Sequence, residues 1–245
     1  MEILETFPLH EGLEIKIDSG KLHIQGEDRK DINVSGSFRN MVFRSGGVGK
    51  KLVLSCLFRI KWFQWVYAWA TYLLKKEWPT ADLHLKVPRE CNLRANVYSG
   101  FLSVDGITGQ MQVQVGSGKA IVSKCTGNLR MLLSGAECTI KSFSGSVSIY
   151  SYTGDIDFNG ELFTESTNRI ESLTGTIKAS LVNPDLKFNA KASTGQVTLV
   201  SEDGAKQNAK TQAYGTIGNG KGSLQLKTSI GNITIETVSD RKSQP

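Results

Sequence analysis

Three aspartates are the residues of this sequence whose spacing best suits acid–base catalysis. Asp155 and Asp157 are two residues apart in the phrase TGDIDF, and Asp105 belongs to an earlier, related phrase. Residues two apart on a β-strand share one face, and carboxylates on neighbouring strands do acid–base work in polysaccharide-cleaving β-helices. The alternative function is therefore a carbohydrate-active β-helix enzyme. Because aspartates in turn-rich strands are more often ordinary solvated residues, we expect the chain not to be an enzyme.

The histidines and cysteines suggest no further chemistry by their spacing. His10, His23 and His84 form no HxH, HExxH or HxxxH pattern, and the last two alternate with apolar neighbours as outward strand residues. The four cysteines share no CxxC spacing, which predicts reduced, buried thiols. They are Cys56, Cys91, Cys125 and Cys138. We expect no metal site, no cofactor and no catalytic residue.

A recurring glycine predicts the elements that must position these side chains. About every nine residues, a glycine leads a short alternating phrase such as SGFLSV, TGQMQVQV or SGKAIV. These glycines are Gly100, Gly109, Gly118, Gly127, Gly135, Gly145 and Gly154, followed by Gly175, Gly195 and Gly231. Glycine permits the backbone of a corner, and the alternation gives one face of each strand to a core. The pattern predicts an all-β solenoid, or β-helix-like stack, with roughly 18–20 residues in each circuit of the chain. A β-sandwich of short strands fits the same spacing.

Composition and alternation together indicate one domain. The alternation is present in residues 1–40 and resumes near 81, so we expect a single solenoid domain over 1–237 and a polar tail at 238–245. A net charge of +6 suggests acidic partners such as anionic lipid. The outward positions are too poor in arginine and aromatic pairs for a nucleic-acid platform.

Residues 50–78 interrupt the repeat with an aromatic insert, KKLVLSCLFRIKWFQWVYAWATYLLKKEW, that holds all four tryptophans. Read at helical spacing, its apolar side chains form one stripe, which predicts an interfacial amphipathic helix with cationic ends. Arg59, Lys61 and Gln64 argue against a transmembrane helix. A cap over the solenoid end is the plainer alternative, and a long β-hairpin is a third option. The candidate membrane or partner contacts are Phe58, Trp62, Trp65, Trp69 and Tyr72, with Lys50, Lys51, Lys75 and Lys76.

These features predict a structural or interaction module and its partners. An anionic membrane surface or a protein partner would contact the insert, and the solenoid ends offer a route to self-association. The start MEILETFPLHEGLEIKID lacks a basic stretch followed by an apolar run. We therefore expect a cytoplasmic protein, peripheral on the inner face of the membrane.

The run LHLKVPRECNLRANVYSGFLSVDGITGQMQVQVGSGKAIV resembles the bacterial putative-adhesin family, a Gly-phrase repeat domain of unknown function. The shared features are an apolar strand that ends in VP, a polar spacer, and serial phrases of the form sG-x-i-x-v. The resemblance covers about residues 81–237. It implies a β-solenoid-like domain with no known catalytic residues and, in many relatives, a link to the membrane or cell envelope. The insert and the lack of a clear secretion signal depart from the family, and they favour a membrane-associated scaffold over an extracellular adhesin.

Overall fold

Every regular element in the described part of the chain is a β-strand. The computed structural model describes residues 1–8, 11–48, 50–58, 78–202 and 204–238. The strands are β1 (Glu2–Pro8), β2 (Gly12–Glu27), β3 (Asp31–Arg39), β4 (Met41–Val48), β5 (Lys51–Phe58), β6 (Thr80–Pro88), β7 (Asn92–Asp105), β8 (Thr108–Ser123), β9 (Thr126–Thr153), β10 (Ile156–Leu162), β11 (Thr167–Thr174), β12 (Ile177–Val182), β13 (Leu186–Thr194), β14 (Val197–Val200), β15 (Lys206–Ala209), β16 (Gln212–Ile217), β17 (Gly222–Ile230) and β18 (Ile233–Val238).

The strands wind into coils. Each coil is one circuit of the chain and contributes one strand segment to a first face and the following segment to a second face. Consecutive coils pair in parallel, with Val97 opposite Val115 and Val115 opposite Leu133, so one coil takes 18 residues. Farther along, Ile156 lies opposite Ile177, because the coil between them is three residues longer. The all-β solenoid and its period are thereby confirmed, and the sandwich alternative is wrong.

The core lies between the two faces and is built from alternate residues of every coil. In β2, Leu13, Ile15 and Ile17 are buried on the first face, and Leu22 and Ile24 are buried on the second. Their parallel neighbours in β7 are buried as well, so apolar columns run along the stack. Because each coil buries only these alternate side chains, the outward positions are open to polar residues.

Glycine is required at Gly118, where the chain turns from the first face to the second. Gly118 has a φ of +111° and stacks on Gly100, and a Cβ added to Gly118 would lie 1.9 Å from the Gly100 carbonyl oxygen. The next coil solves this corner differently, since Ala136 occupies the stacked position while Gly135 pairs with Ser117. The uneven glycine steps in the sequence therefore come from a corner whose glycine sits one residue earlier.

One buried polar side chain, Asn168, replaces an apolar residue in the first face. It is fully buried and lies opposite Leu224 in the neighbouring strand. Its Oδ1 accepts a hydrogen bond from the Val147 backbone N–H (3.0 Å), and its Nδ2 donates to the Ser223 carbonyl (3.2 Å). A satisfied buried amide of this kind joins the coils on both sides of it.

At one end of the stack, β5 and β6 together form the coil that pairs with β2. Antiparallel strands cover this coil: β4 pairs with β5, β3 pairs with β6, and β1 pairs with β3. The prediction of a helix over residues 50–78 is wrong for Lys51–Phe58, which forms a β-strand. In this strand Leu52, Leu54 and Cys56 are buried. The spacing of four between Leu54 and Phe58 misled the helical reading, because it suits one face of a helix and one face of a strand alike.

At the other end, the order of the coils differs from the order of the chain. The coil of β17 and β18 lies between the coil of β11 and β12 and the coil of β13 and β14. On the outer side of the coil of β13 and β14, β16 pairs antiparallel with β13, and β15 pairs antiparallel with β14. Both ends of the described stack therefore carry antiparallel strands on their parallel coils.

Candidate functional site

Because Lys51–Phe58 is the solenoid strand β5, the aromatic insert is from here on the segment 59–77, which departs from one corner of the coil that β5 and β6 form. In β2, two residues separate Ile17, which pairs with Cys56, from Gly20, which pairs with Ala81. In the coil formed by β5 and β6, 24 residues (57–80) separate Cys56 from Ala81. The insert is therefore an expansion of a single corner, with the flanking strands in the same register as those of β2.

The described residues at the root of the insert expose apolar surface. Phe58 is 39% exposed and Trp78 is 62% exposed. The Phe58 backbone N–H donates a hydrogen bond to Asp18 Oδ2 (2.8 Å), which fixes the exit of the chain to the corner of β2. The other predicted contacts of the insert lie outside the described residues. They are Trp62, Trp65, Trp69, Tyr72, Lys75 and Lys76.

The predicted lysines Lys50 and Lys51 are not at this root. Lys51 pairs with Gly12 at the opposite end of β5 from Phe58, a separation of about 23 Å at ~3.3 Å per residue. Lys50 Nζ lies 2.6 Å from Glu11 Oε1, and both side chains are exposed. Phe58 and this lysine pair are thus held apart by a full strand length.

The three aspartates do not form one carboxylate site. Asp155 Oδ1 accepts a hydrogen bond from the Thr176 backbone N–H (2.7 Å), so it supports the corner of the next coil. Asp105 Oδ1 accepts from Ser123 Oγ (2.8 Å). The coil of Asp157 is three strand spacings from that of Asp105, about 14 Å at ~4.8 Å each. Glycosidase carboxylates are about 5–9.5 Å apart, so Asp105 is too far away to act with Asp157.

The cysteines are free, buried thiols, in agreement with the sequence. Burial raises the pKa of Cys56, Cys91 and Cys125 to about 11 and that of Cys138 to about 12. A thiol must ionise to act as a nucleophile or a metal ligand. None of the four is therefore prepared for either role at neutral pH.

Two open grooves mark the surface of the described chain. One, with a volume of about 270 Å³, crosses the first face and is lined mainly by polar residues such as Gln112, Asn128 and Arg130. The other, of about 460 Å³, lies by Pro184, Glu202 and Ile217. Small-molecule sites are usually concave and mostly apolar, which the first groove is not, and neither groove includes a predicted site residue.

A cluster of histidine and aspartate that the spacing rules missed lies beside the root of the insert. His23, His84 and Asp82 each offer a ligand atom, and these atoms lie within 4.8 Å of one another. The two histidines are 61 residues apart in the chain, so a search for close spacing misses them. The available signal was the repetition of the phrase KLHI, with His23, as DLHL, with His84.

The described residues contain no helix with the length and hydropathy needed to cross a membrane. Their coils define a parallel β-solenoid with antiparallel strands at both ends. Residues 81–236 match the Toastrack DUF4097 family, a domain of unknown function, and the chain belongs to this family. Among curated proteins, none matches the chain.

Three solved structures are similar to the chain along almost its whole length, each with low sequence identity. A "putative cell adhesion protein" from Clostridium sporogenes ATCC 15579 has 11% identity over 97% of this chain and 100% of its own, with a TM-score of 0.38. A "putative adhesin" from Parabacteroides distasonis ATCC 8503 has 13% identity over 97% of both chains and a TM-score of 0.35. A "putative lipid binding protein" from the same organism has 12% identity over 97% of this chain and 96% of its own, with a TM-score of 0.34.

Proposed function

We propose that this protein is a non-enzymatic interaction module that uses its aromatic insert to attach the solenoid to an anionic membrane surface. The position of the insert carries the proposal. It expands one corner of a coil whose strands keep their pairing with β2 on both sides of it. Because that pairing resembles the pairing of coils without an insert, the insert adds aromatic residues that the coil itself does not require.

The antiparallel strands β3 and β4 weaken the competing interpretation, in which the insert caps the solenoid end. They pair with β6 and β5 and so cover the coil from which the insert departs. The exposed rings of Phe58 and Trp78 at the root place apolar surface at the corner. These two observations favour an insert that contacts another molecule or a membrane over an insert that caps the solenoid.

The composition of the insert favours a membrane as that contact. Tryptophan and tyrosine combine a large apolar ring with a polar group, and they are enriched at the boundary between lipid and water. The insert also contributes Arg59, Lys61, Lys75 and Lys76, and the whole chain has a net charge of +6. Basic residues near a bilayer are attracted to anionic lipids of the cytoplasmic leaflet. The proposed location is therefore cytoplasmic, on the inner face of the membrane.

The arrangement of the predicted aspartates and of the cysteines supports the non-enzymatic part of the proposal. Asp155 is engaged in a corner, Asp105 is distant from Asp157, and the four thiols are buried with raised pKa values. The polar outward faces suit recognition of a surface better than enclosure of a substrate.

Co-sedimentation with vesicles tests the proposal. The intact chain is mixed with vesicles of phosphatidylcholine alone or with phosphatidylserine added, at low and high salt. We expect binding to the anionic vesicles that weakens with salt, because screening reduces attraction between exposed charges. Replacing Trp62, Trp65 and Trp69 by serine should abolish this binding and leave the far-UV circular dichroism spectrum unchanged.

Two control variants separate the insert from the rest of the surface. Tyr214→Ser removes an aromatic ring that is 83% exposed on β16, at the opposite end of the stack from the insert, and it should leave vesicle binding intact. Lys51→Gln should also leave vesicle binding intact, because Lys51 lies at the end of β5 that is far from the insert. Failure of the intact chain to bind anionic vesicles would refute the membrane proposal and leave a protein partner for the insert. Equal loss in the Tyr214 variant would place the contact at the opposite end of the stack instead.

A further inference from the structure

Two histidines stand side by side on adjacent parallel strands of the second face. His23 of β2 and His84 of β6 are register partners. Their imidazole centroids are 4.6 Å apart, and the ring planes differ by 5°. This separation is close to the spacing of neighbouring strands, about 4.8 Å, so the backbone itself holds the two rings at this distance.

Asp82 adds a carboxylate beside the two imidazoles. It precedes His84 by two residues and therefore lies on the same side of β6. Its Oδ1 lies 3.3 Å from His84 Nε2, is shielded from solvent, and accepts no hydrogen bond. A carboxylate oxygen this close to an imidazole nitrogen can share one bound cation with it.

We propose that His23, His84 and Asp82 bind a divalent transition-metal ion, with Zn²⁺ as the ion that fits the donor set best. Two imidazole nitrogens and one carboxylate oxygen are ligands that Zn²⁺ accepts, and three protein ligands leave a fourth position for water. Purely oxygen-ligated ions such as Ca²⁺ and Mg²⁺ lack the required donors here. Among divalent ions, Cu²⁺ should compete with Zn²⁺ at such a site.

The three ligand atoms need only a small adjustment to reach one ion. They lie within 4.8 Å of one another, whereas tetrahedral ligands about 2.0–2.1 Å from zinc are about 3.3 Å apart. Rotation of exposed or half-exposed side chains supplies this difference.

The residues around the proposed site affect how tightly a metal ion binds and what its binding does to the solenoid. Lys21 is the register partner of Asp82, and its positive charge opposes a cation at the site. The ring of Phe101 lies 5.3 Å from His23 and packs beside it. Because the ligands come from both β2 and β6, a bound ion would link two coils directly beside the root of the insert.

Calorimetric titration of the chelator-treated protein with ZnCl₂ tests the site. We expect one ion per chain, and we expect His84→Gln and His23→Gln each to weaken binding by more than about tenfold, since even second-shell changes cost 10–100-fold. Lys21→Gln should tighten binding. Asp157→Asn, an outward carboxylate elsewhere on this face, should leave the affinity unchanged.

A second measurement identifies the ligands independently of affinity. In ¹⁵N spectra of the histidine rings, Zn²⁺ should shift two of the three imidazoles, and each His→Gln variant should remove one of the shifted signals. Far-UV circular dichroism checks that the variants are folded. No binding by the intact chain at millimolar Zn²⁺, or binding that persists in the double His23→Gln/His84→Gln variant, would overturn the assignment.

Discussion

Replacement of Gly118 by alanine is the sharpest test of the stacked corners. Gly118 has a φ of +111°, and an added Cβ would lie 1.9 Å from the Gly100 carbonyl oxygen and 2.8 Å from its carbon. An L-residue in a sparsely populated backbone region costs about 1–3 kcal/mol. Overpacking against backbone adds about 1–3 kcal/mol. We therefore expect Gly118→Ala to lower the free energy of unfolding by about 2–6 kcal/mol, against a total of about 5–15 kcal/mol for a typical protein.

Urea unfolding followed by far-UV circular dichroism measures this loss, with extrapolation to water. Gly46→Ala is the matched control, because a Cβ at Gly46 meets no atom within 4 Å, and its effect should stay within about 1 kcal/mol. A loss below about 1 kcal/mol for Gly118→Ala would refute the stacked-corner argument.

A double variant tests the physical reason for the loss. Ser117→Gly combined with Gly118→Ala copies the Gly135–Ala136 corner of the next coil, which pairs with Ser117 and Gly118 in register. We expect it to recover part of the stability that Gly118→Ala loses, because a glycine one residue earlier gives the backbone another way around the corner. No recovery would mean that the two corners are not interchangeable.

Two further predictions concern the interior. Asn168→Leu should lower the free energy of unfolding by about 1–3 kcal/mol or more, because it leaves the buried Val147 N–H without its acceptor; a gain in stability in the same urea assay would show that the apolar column prefers leucine. The four buried thiols should resist a thiol reagent in the native state and react when urea is added. Because burial raises the folded pKa of three of them from 9.0 to about 11, the unfolded chain loses these protons first, so stability should fall as pH rises from about 9 to 11. Unfolding curves recorded across this range that do not shift would contradict that linkage.

The solenoid was predictable because its signal is local and repeated. Each coil from Asn92 onward has its own glycine phrase, and alternation alone identifies inward residues such as Val113 and Val115. The strand β5 was not separable from a helix, because Leu54 and Phe58 satisfy both periods. The distinction came from pairing with β2, a contact between distant parts of the chain.

The candidate sites depend on contacts of the same distant kind. His23 and His84 meet only because β6 stacks on β2, and that register follows from Gly20 lying opposite Ala81. Lys50 and Lys51 looked adjacent to the aromatic insert in the sequence, yet an extended strand moves them to its far end. Distance along a chain becomes distance in space only after the element is known.

The placement of β17 and β18 has a consequence for how the chain is synthesised. A ribosome delivers β11 to β14 before these two strands, yet the finished protein holds β17 and β18 between the earlier coils. The coil of β13 and β14 therefore cannot dock permanently onto that of β11 and β12 while translation proceeds, since the place between them belongs to a segment not yet made. Completion of the stack waits for residues 222–238, and a chain that stops short of them lacks an internal layer.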